Sequence, residues 1–403
     1  MISEKAEAAR RIVFVDDAHT FGGAQIALAW GIRAIVSNTG HSVVCVCTAS
    51  AAEAIRDIAG QSQRLTYVVC PKALPLNVLG FPLRILSFFR IVEKLRRQDV
   101  TDWWLNLSGI EFCLAPVIVL SALGESHTAW LHGPESLAFL MRGRTPARRL
   151  VNRVRDLLAN HLLFRLHPIL ATPSETASEG ARKRARGYGV ISTLSPTVAR
   201  VVRPSADLKD ATEEQSQGRC VNLRMIGRIE FGHKNNVAAV DAFRALKRRG
   251  FEASLTIVGD GPDMAKLRAS CRDLKASDGL RFLGWSADPW LGVAGDDVIL
   301  IPSFWESLSL VAIEAMLRGV RMVTSPLEVF HEVFPQQFIA AGFSGEALAD
   351  QVERVLRISR HDMLGWYAES LVRFSEERFL RTFAALSNGQ RDGKNFAEAT
   401  SPQ

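Results

Sequence analysis

The chain has 403 residues, two domains or one large one, and at 47% hydrophobic and 23% charged it has an ordinary globular balance with ample surface to bury a core. That excludes a disordered tail protein, a collagen and a disulfide-stapled mini-fold. Lys plus Arg number 49 against 42 for Asp plus Glu, and the net +7 suits acidic partners such as phosphates, lipid headgroups or nucleic acid without choosing among them.

Residues 1–10 are polar and carry no apolar secretory core. The longest apolar stretches, such as 113–123, reach about half the length that spans a bilayer. The expectation is a soluble or at most peripheral protein. Cys45, Cys47, Cys70, Cys113, Cys220 and Cys271 sit mostly inside apolar runs and read as core filling, with reduced thiols and a cytoplasmic location.

In chain order, 11–15 is a short apolar strand ending at Asp16 and Asp17, and a Gly22-Gly23 loop leads into a helix over about 24–37. Two β-branched runs follow at 41–48 and 65–70. A helix is predicted over 81–97, with Phe81, Ile85, Phe88, Phe89, Val92 and Leu95 on its apolar face. Arg84, Arg90, Lys94, Arg96 and Arg97 fall on its other side. Strands at 103–107 and 128–131 come next, the second ending at His132-Gly133-Pro134; a basic helix over 148–166 precedes a strand at 168–172. Strands alternating with helices imply a parallel sheet covered on both faces.

Residues 204–219 are polar and aperiodic, which marks a linker. A second alternating set has strands at 221–226, 254–258, 280–282, 298–301 and 321–324. Residues 376–386 read as a final helix, and 387–403, rich in polar residues and glycine, as a disordered tail.

The second half carries the chemistry. Gly227-Arg228 follows a strand directly, and Lys234-Asn235 comes six residues later near a helix start. A loop after a parallel strand lies at the carboxyl edge of its sheet, where open α/β folds bind ligands. Two cations there suit a diphosphate, although an exposed solvated pair fits the spacing equally well. Gly259-Asp260-Gly261-Pro262 also closes a strand, but the third glycine of a dinucleotide fingerprint is absent. Glu306 falls on a strand–helix loop and Glu314 two turns into the helix. Carboxylates there suit the vicinal hydroxyls of a sugar or ribose; a helix-capping Glu306 and an exposed Glu314 are the alternative.

Taken together, Gly227-Arg228, Lys234-Asn235, the 257–262 turn, Phe282-Leu283-Gly284, Pro302-Ser303 and Glu306-x7-Glu314-Ala315-Met316 through Gly319 resemble the retaining, GT-B-fold glycosyltransferases of family 4. Order and spacing match over roughly 100 residues. Gly22-Gly23-Ala24 and His132-Gly133 resemble that family's N-terminal counterparts more loosely.

The resemblance implies two Rossmann-like, doubly wound α/β domains facing a cleft. They would be an acceptor-side domain over 11–203, braced by a helix at 371–386 crossing back, and a nucleotide-sugar domain over 220–370. It implies that Arg228 and Lys234 hold the donor diphosphate, with Gly22 and Gly23 approaching from the other domain. It also implies that Glu306 contacts the transferred sugar, Glu314 the ribose, and His132 the sugar end of the site. A satisfied loop histidine is the alternative for His132. The loop with Gly284 and Trp285 would meet the base. Ser307, Leu308 and Ser309 stand where the family often has x-Phe-Gly, which puts donor choice, rather than binding, in question.

No Asp-x-Asp occurs, so no metal cofactor is expected, and the two cations would supply the charge on the leaving diphosphate. Further basic clusters, at 142–155 and 182–186, lie in the first half. With the 81–97 helix they suit an anionic membrane surface and a carbohydrate or lipid-linked acceptor; ordinary solvated faces fit them too. No nucleic-acid reader motif is present. The expected activity is retaining glycosyl transfer, with a nucleotide-sugar epimerase or hydrolase, or a non-catalytic sugar-nucleotide or membrane-binding module, as alternatives.

Overall fold

The computed structural model describes residues 9–18, 22–70, 80–100, 102–108, 113–132, 169–186, 193–194, 220–274 and 276–387, with single positions between 146 and 166. The predicted linker at 204–219, most of the 148–166 helix, Gly133 and all of the predicted 387–403 tail except Ser387, which ends the last helix, lie outside them. The chain divides into two compact units, 1–199 with 375–403, and 200–374.

The first unit is built on seven parallel strands: β1 (Arg11–Asp16), β2 (Ser42–Cys47), β3 (Leu65–Val69), β4 (Asp102–Leu107), β5 (His127–Leu131), β6 (Ile169–Ala171) and β7 (Thr193–Leu194). They run in the order β3-β2-β1-β4-β5-β6-β7. Because helices cover both faces, the strands are buried along their length and read as continuous apolar runs. Alternation still decides which core each residue joins. Ile12 and Phe14 pack beneath helices Gly23–Asn38 and Ala49–Ala59, while Val13 and Val15 pack beneath Gly80–Arg96 and Leu114–Ala122.

Helix Glu376–Ser387 belongs to this first unit. Its Phe379 and Phe383 enter the aromatic core, with Phe383 stacked 4.9 Å from Trp104 and Phe379 6.1 Å from Trp130. Burying two phenylalanines contributes roughly 2 kcal/mol or more each, which fastens the distant C-terminal helix to this sheet.

Two expectations for helix Gly80–Arg96 are overturned. Phe89 is 42% exposed and is not part of the core. Arg84, expected on the solvent side, is buried and paired with Asp17. Helical periodicity cannot reveal a partner lying 67 positions away in sequence.

The second unit has five parallel strands, β8 (Cys220–Ile226), β9 (Glu252–Val258), β10 (Leu280–Gly284), β11 (Val298–Ile301) and β12 (Arg321–Thr324), in the order β10-β9-β8-β11-β12. Strand order reverses between β8 and β11, so a crevice opens at their carboxyl ends. The first sheet has the same reversal between β1 and β4.

Candidate functional site

Three strand ends of the second sheet are stitched together by backbone bonds. Gly227 N–H donates to Val258 at 2.9 Å, Gly259 N–H to Gly284 at 2.7 Å, and Ile229 N–H to Asp260 at 3.0 Å. The turn that reads as a weak signal in sequence therefore braces the Gly227-Arg228 loop. Asp263 extends the brace by accepting from Phe231 N–H at 3.0 Å, a bond that holds its carboxyl below the usual range.

Arg228 projects from this loop, 56% exposed, with Glu230 at 3.4 Å. A short helix, Phe231–Lys234, then turns the chain across the crevice. Lys234 Nζ lies 2.6 Å from Glu306 Oε1, and Ser303 Oγ donates to the same oxygen at 2.7 Å. The cation comes from the short helix after β8 and the carboxylate from the loop after β11, so the pair spans the switch point. Phe304 N–H donates to the His233 carbonyl at 2.8 Å and ties the two loops a second time.

Burial, the largest single influence, would raise the Glu306 carboxyl, but Lys234, His233 and the Ser303 hydroxyl together hold the group below its ordinary value. Burial, with Lys234 beside it, pushes His233 down to about 4, leaving a neutral imidazole near Trp305. The alternative of a merely capping Glu306 is not what forms: Ser309 caps helix Leu310–Leu317 through the Ala312 N–H. Ser307 and Leu308, half-buried, link Glu306 to that cap.

Glu314 is 7% exposed, so it is not on the solvent face. Its Oε2 accepts from the indole Nε1 of Trp290, a residue that sequence spacing did not single out. At the β10 end, Gly284 has φ 75°, and Trp285 beside it is 74% exposed. Among the described residues, no cluster of three His, Cys, Asp or Glu side chains is arranged to hold a metal.

The remaining residues singled out lie at the carboxyl edge of the first sheet. Gly22 precedes helix Gly23–Asn38 and donates its N–H to Gln25 Oε1 at 3.0 Å. Gln25 Nε2 and Asn106 Nδ2 both donate to Asp16 Oδ2, at 2.9 and 2.8 Å. Asp16 therefore anchors this loop from beneath, and burial pushes its carboxyl up to about 6. His132 follows β5, its ring 4.4 Å from Trp130; burial pushes it down to about 3, so the imidazole is neutral at ordinary pH.

Residues 221–370 match the family model of the glycosyl transferases group 1. Over 163 residues the chain is 28% identical to the lipopolysaccharide 1,6-galactosyltransferase of Salmonella typhimurium, covering 38% of this chain and 43% of that protein. The chain thus spans less than half the length of that curated relative. Two solved structures superpose over 94% of the chain. Anabaena Alr3699/HepE, in complex with UDP and glucose, does so with TM-score 0.70 and 16% identity over 99% of its own length. WaaG, a glycosyltransferase involved in lipopolysaccharide biosynthesis, gives 0.65 and 15% over 100%. Likeness at such identity establishes the fold, two parallel-sheet Rossmann-like domains of GT-B type.

Proposed function

Because residues 221–370 match the family model of the glycosyl transferases group 1, we propose that this protein moves a sugar from a nucleotide-diphosphate donor to an acceptor hydroxyl. The acceptor would be a carbohydrate or lipid-linked glycan in polysaccharide, lipopolysaccharide or glycolipid assembly. The observation that carries the reading is the Lys234–Glu306 pair across the switch point, with Arg228 exposed on the adjoining loop. The UDP and glucose of the HepE complex and the lipopolysaccharide roles named for WaaG and the Salmonella relative agree with it.

In this reading Arg228 and Lys234 hold the donor diphosphate, and their charge replaces that of a metal as the leaving group departs. Glu306 contacts the transferred sugar and Glu314 the ribose. Trp285 and Gly284 face the base. Gly22, Gly23 and the neutral His132 serve from the first domain. The acceptor oxygen forms its bond to C1 on the face from which the C1–O bond to diphosphate breaks. Its proton passes to the departing diphosphate oxygen, and configuration is retained. The test is turnover of a nucleotide-sugar panel with the anomeric product followed by proton NMR. A retained product is expected. An inverted product would overturn retention, turnover without acceptor would favour an epimerase or hydrolase, and donor protection without turnover a binding module.

We also propose that the first domain docks on an anionic membrane face. Among the described residues, no helix is long and apolar enough to cross a membrane. Helix Gly80–Arg96 nevertheless exposes Leu83 (70%), Leu86 (47%) and Phe89 (42%). Its Arg90 and Lys94, with Arg11 and Arg64, line a cavity of about 510 Å³ that has no Asp or Glu in its wall. Each near-surface cation contributes about 1 kcal/mol on anionic lipid. Co-sedimentation with phosphatidylglycerol vesicles should therefore fall about tenfold or more in an R90E/K94E variant; unchanged binding would sink the docking reading.

A further inference from the structure

We propose that Trp290 is a positioning residue for Glu314, setting how strongly the site selects a ribose over a deoxyribose. This rests on the donor reading above, in which Glu314 meets the ribose.

Trp290 is 6% exposed and Glu314 7% exposed. A buried indole N–H needs an acceptor and a buried carboxylate needs donors; here Trp290 Nε1 donates to Glu314 Oε2. The ring is held from its face by Arg318, whose guanidinium lies 4.6 Å from the ring centroid. Arg318 follows Glu314 by one helical turn, so one helix supplies both the carboxylate and the cation that clamps the indole.

The loop carrying Trp290 is itself fixed. Trp290 N–H donates to Asp288 Oδ1 at 3.1 Å, and Val293 N–H to the Trp290 carbonyl at 3.0 Å. Arg224 on β8 reaches the Leu291 carbonyl at 3.4 Å and pairs with Asp297 at 2.5 Å. This loop continues from Gly284 and Trp285, where the base is proposed to lie. One segment, 284–290, thus carries the proposed base platform and sets the angle of the ribose carboxylate. Without the indole N–H the carboxylate loses a directional bond that orients it toward the ribose, and directional bonds to hydroxyls weaken most.

The experiment uses the full chain and measures binding of UDP, ADP and GDP and their 2′-deoxy counterparts by calorimetry, in wild type and in Trp290→Phe. Wild type is expected to prefer the ribose form of the base it binds by about tenfold, as befits a hydrogen bond to a charged group. In Trp290→Phe that preference should fall to about threefold or less, the ribose form losing more affinity than the deoxy form, which keeps only its 3′-hydroxyl for the carboxylate. A merely structural role would weaken both forms together. An unchanged preference in a folded variant would overturn the inference. Should Trp290→Phe not fold, Arg318→Met, which loosens the clamp and leaves the indole, should give an intermediate preference; a full wild-type preference there would overturn it equally. Wild type binding none of the nucleotides would instead overturn the donor reading on which the inference stands.

Discussion

Glu306→Gln should lower glycosyl turnover about 100-fold or more while binding nucleoside diphosphate as tightly as wild type, or tighter. The sign follows from the geometry of the pair. Lys234 Nζ lies 2.6 Å from Glu306 Oε1, so the carboxylate neutralises part of the charge that a diphosphate would use. Glutamine keeps the shape and the Ser303 contact but returns that charge to the donor. Lys234→Ala acts in the opposite direction, with nucleoside-diphosphate affinity falling at least tenfold. It also leaves Glu306, whose side chain is 7% exposed, without its cation, costing stability on the order of 2 kcal/mol.

The pH dependence separates the two variants further. In wild type the Glu306 carboxyl is held low in the folded state. The pair's contribution is therefore complete above the ordinary glutamate value and is lost as pH falls through the depressed one. In Lys234→Ala burial is left to raise the carboxyl, so the Glu306 contribution reverses sign and grows as pH falls from the raised value to the ordinary glutamate one. Calorimetric affinities, initial rates and melting curves between pH 3 and 8 (about the reach of a standard buffer series) check all of this. Equal affinities and rates in both variants would remove the pair from the site.

How far the sequence anticipates this arrangement depends on the range of the interaction. Strand-end offsets place Arg228, Lys234, Glu306 and Glu314 near the carboxyl edge of the sheet, but spacing alone leaves a solvated pair and a capping Glu306 open; it is the family resemblance that singles them out. The two parallel sheets are legible from local pattern, as buried strands alternate with amphipathic helices. What holds the residues is not local. Trp290 reaches Glu314 from a loop 24 positions away, and Asp16 gathers Asn106 across 90. Arg84 sits among surface cations by helical spacing, yet it is buried against Asp17 because helix Gly80–Arg96 packs over the end of β1. Phe89 errs in the other direction: its spacing suits the core, but the core is already filled by Phe88, Val92 and Leu95.

Gly259→Ala is expected to destabilise the second domain by about 3 kcal/mol or more, lowering its melting temperature by roughly 10 °C. Gly259 has φ 142°, a conformation open to glycine and strained for any side chain. A Cβ there would stand 1.9 Å from the Gly227 carbonyl oxygen, a backbone atom with no rotamer to move aside. Relief requires pulling apart the ends of β8 and β9, where Gly227 N–H bonds Val258, and disturbs the bond from Gly259 N–H to Gly284 at the end of β10. The same displacement would carry Arg228 out of place, so nucleoside-diphosphate binding should weaken even below the melting point. Gly232 is the internal control, since it lies in the Phe231–Lys234 helix and an added Cβ meets nothing within 4 Å. Gly232→Ala should change stability by no more than about 0.5 kcal/mol, in the stabilising direction. A Gly259→Ala protein that melts and binds like the Gly232→Ala protein would show that the close approach of these two loops does not hold the site.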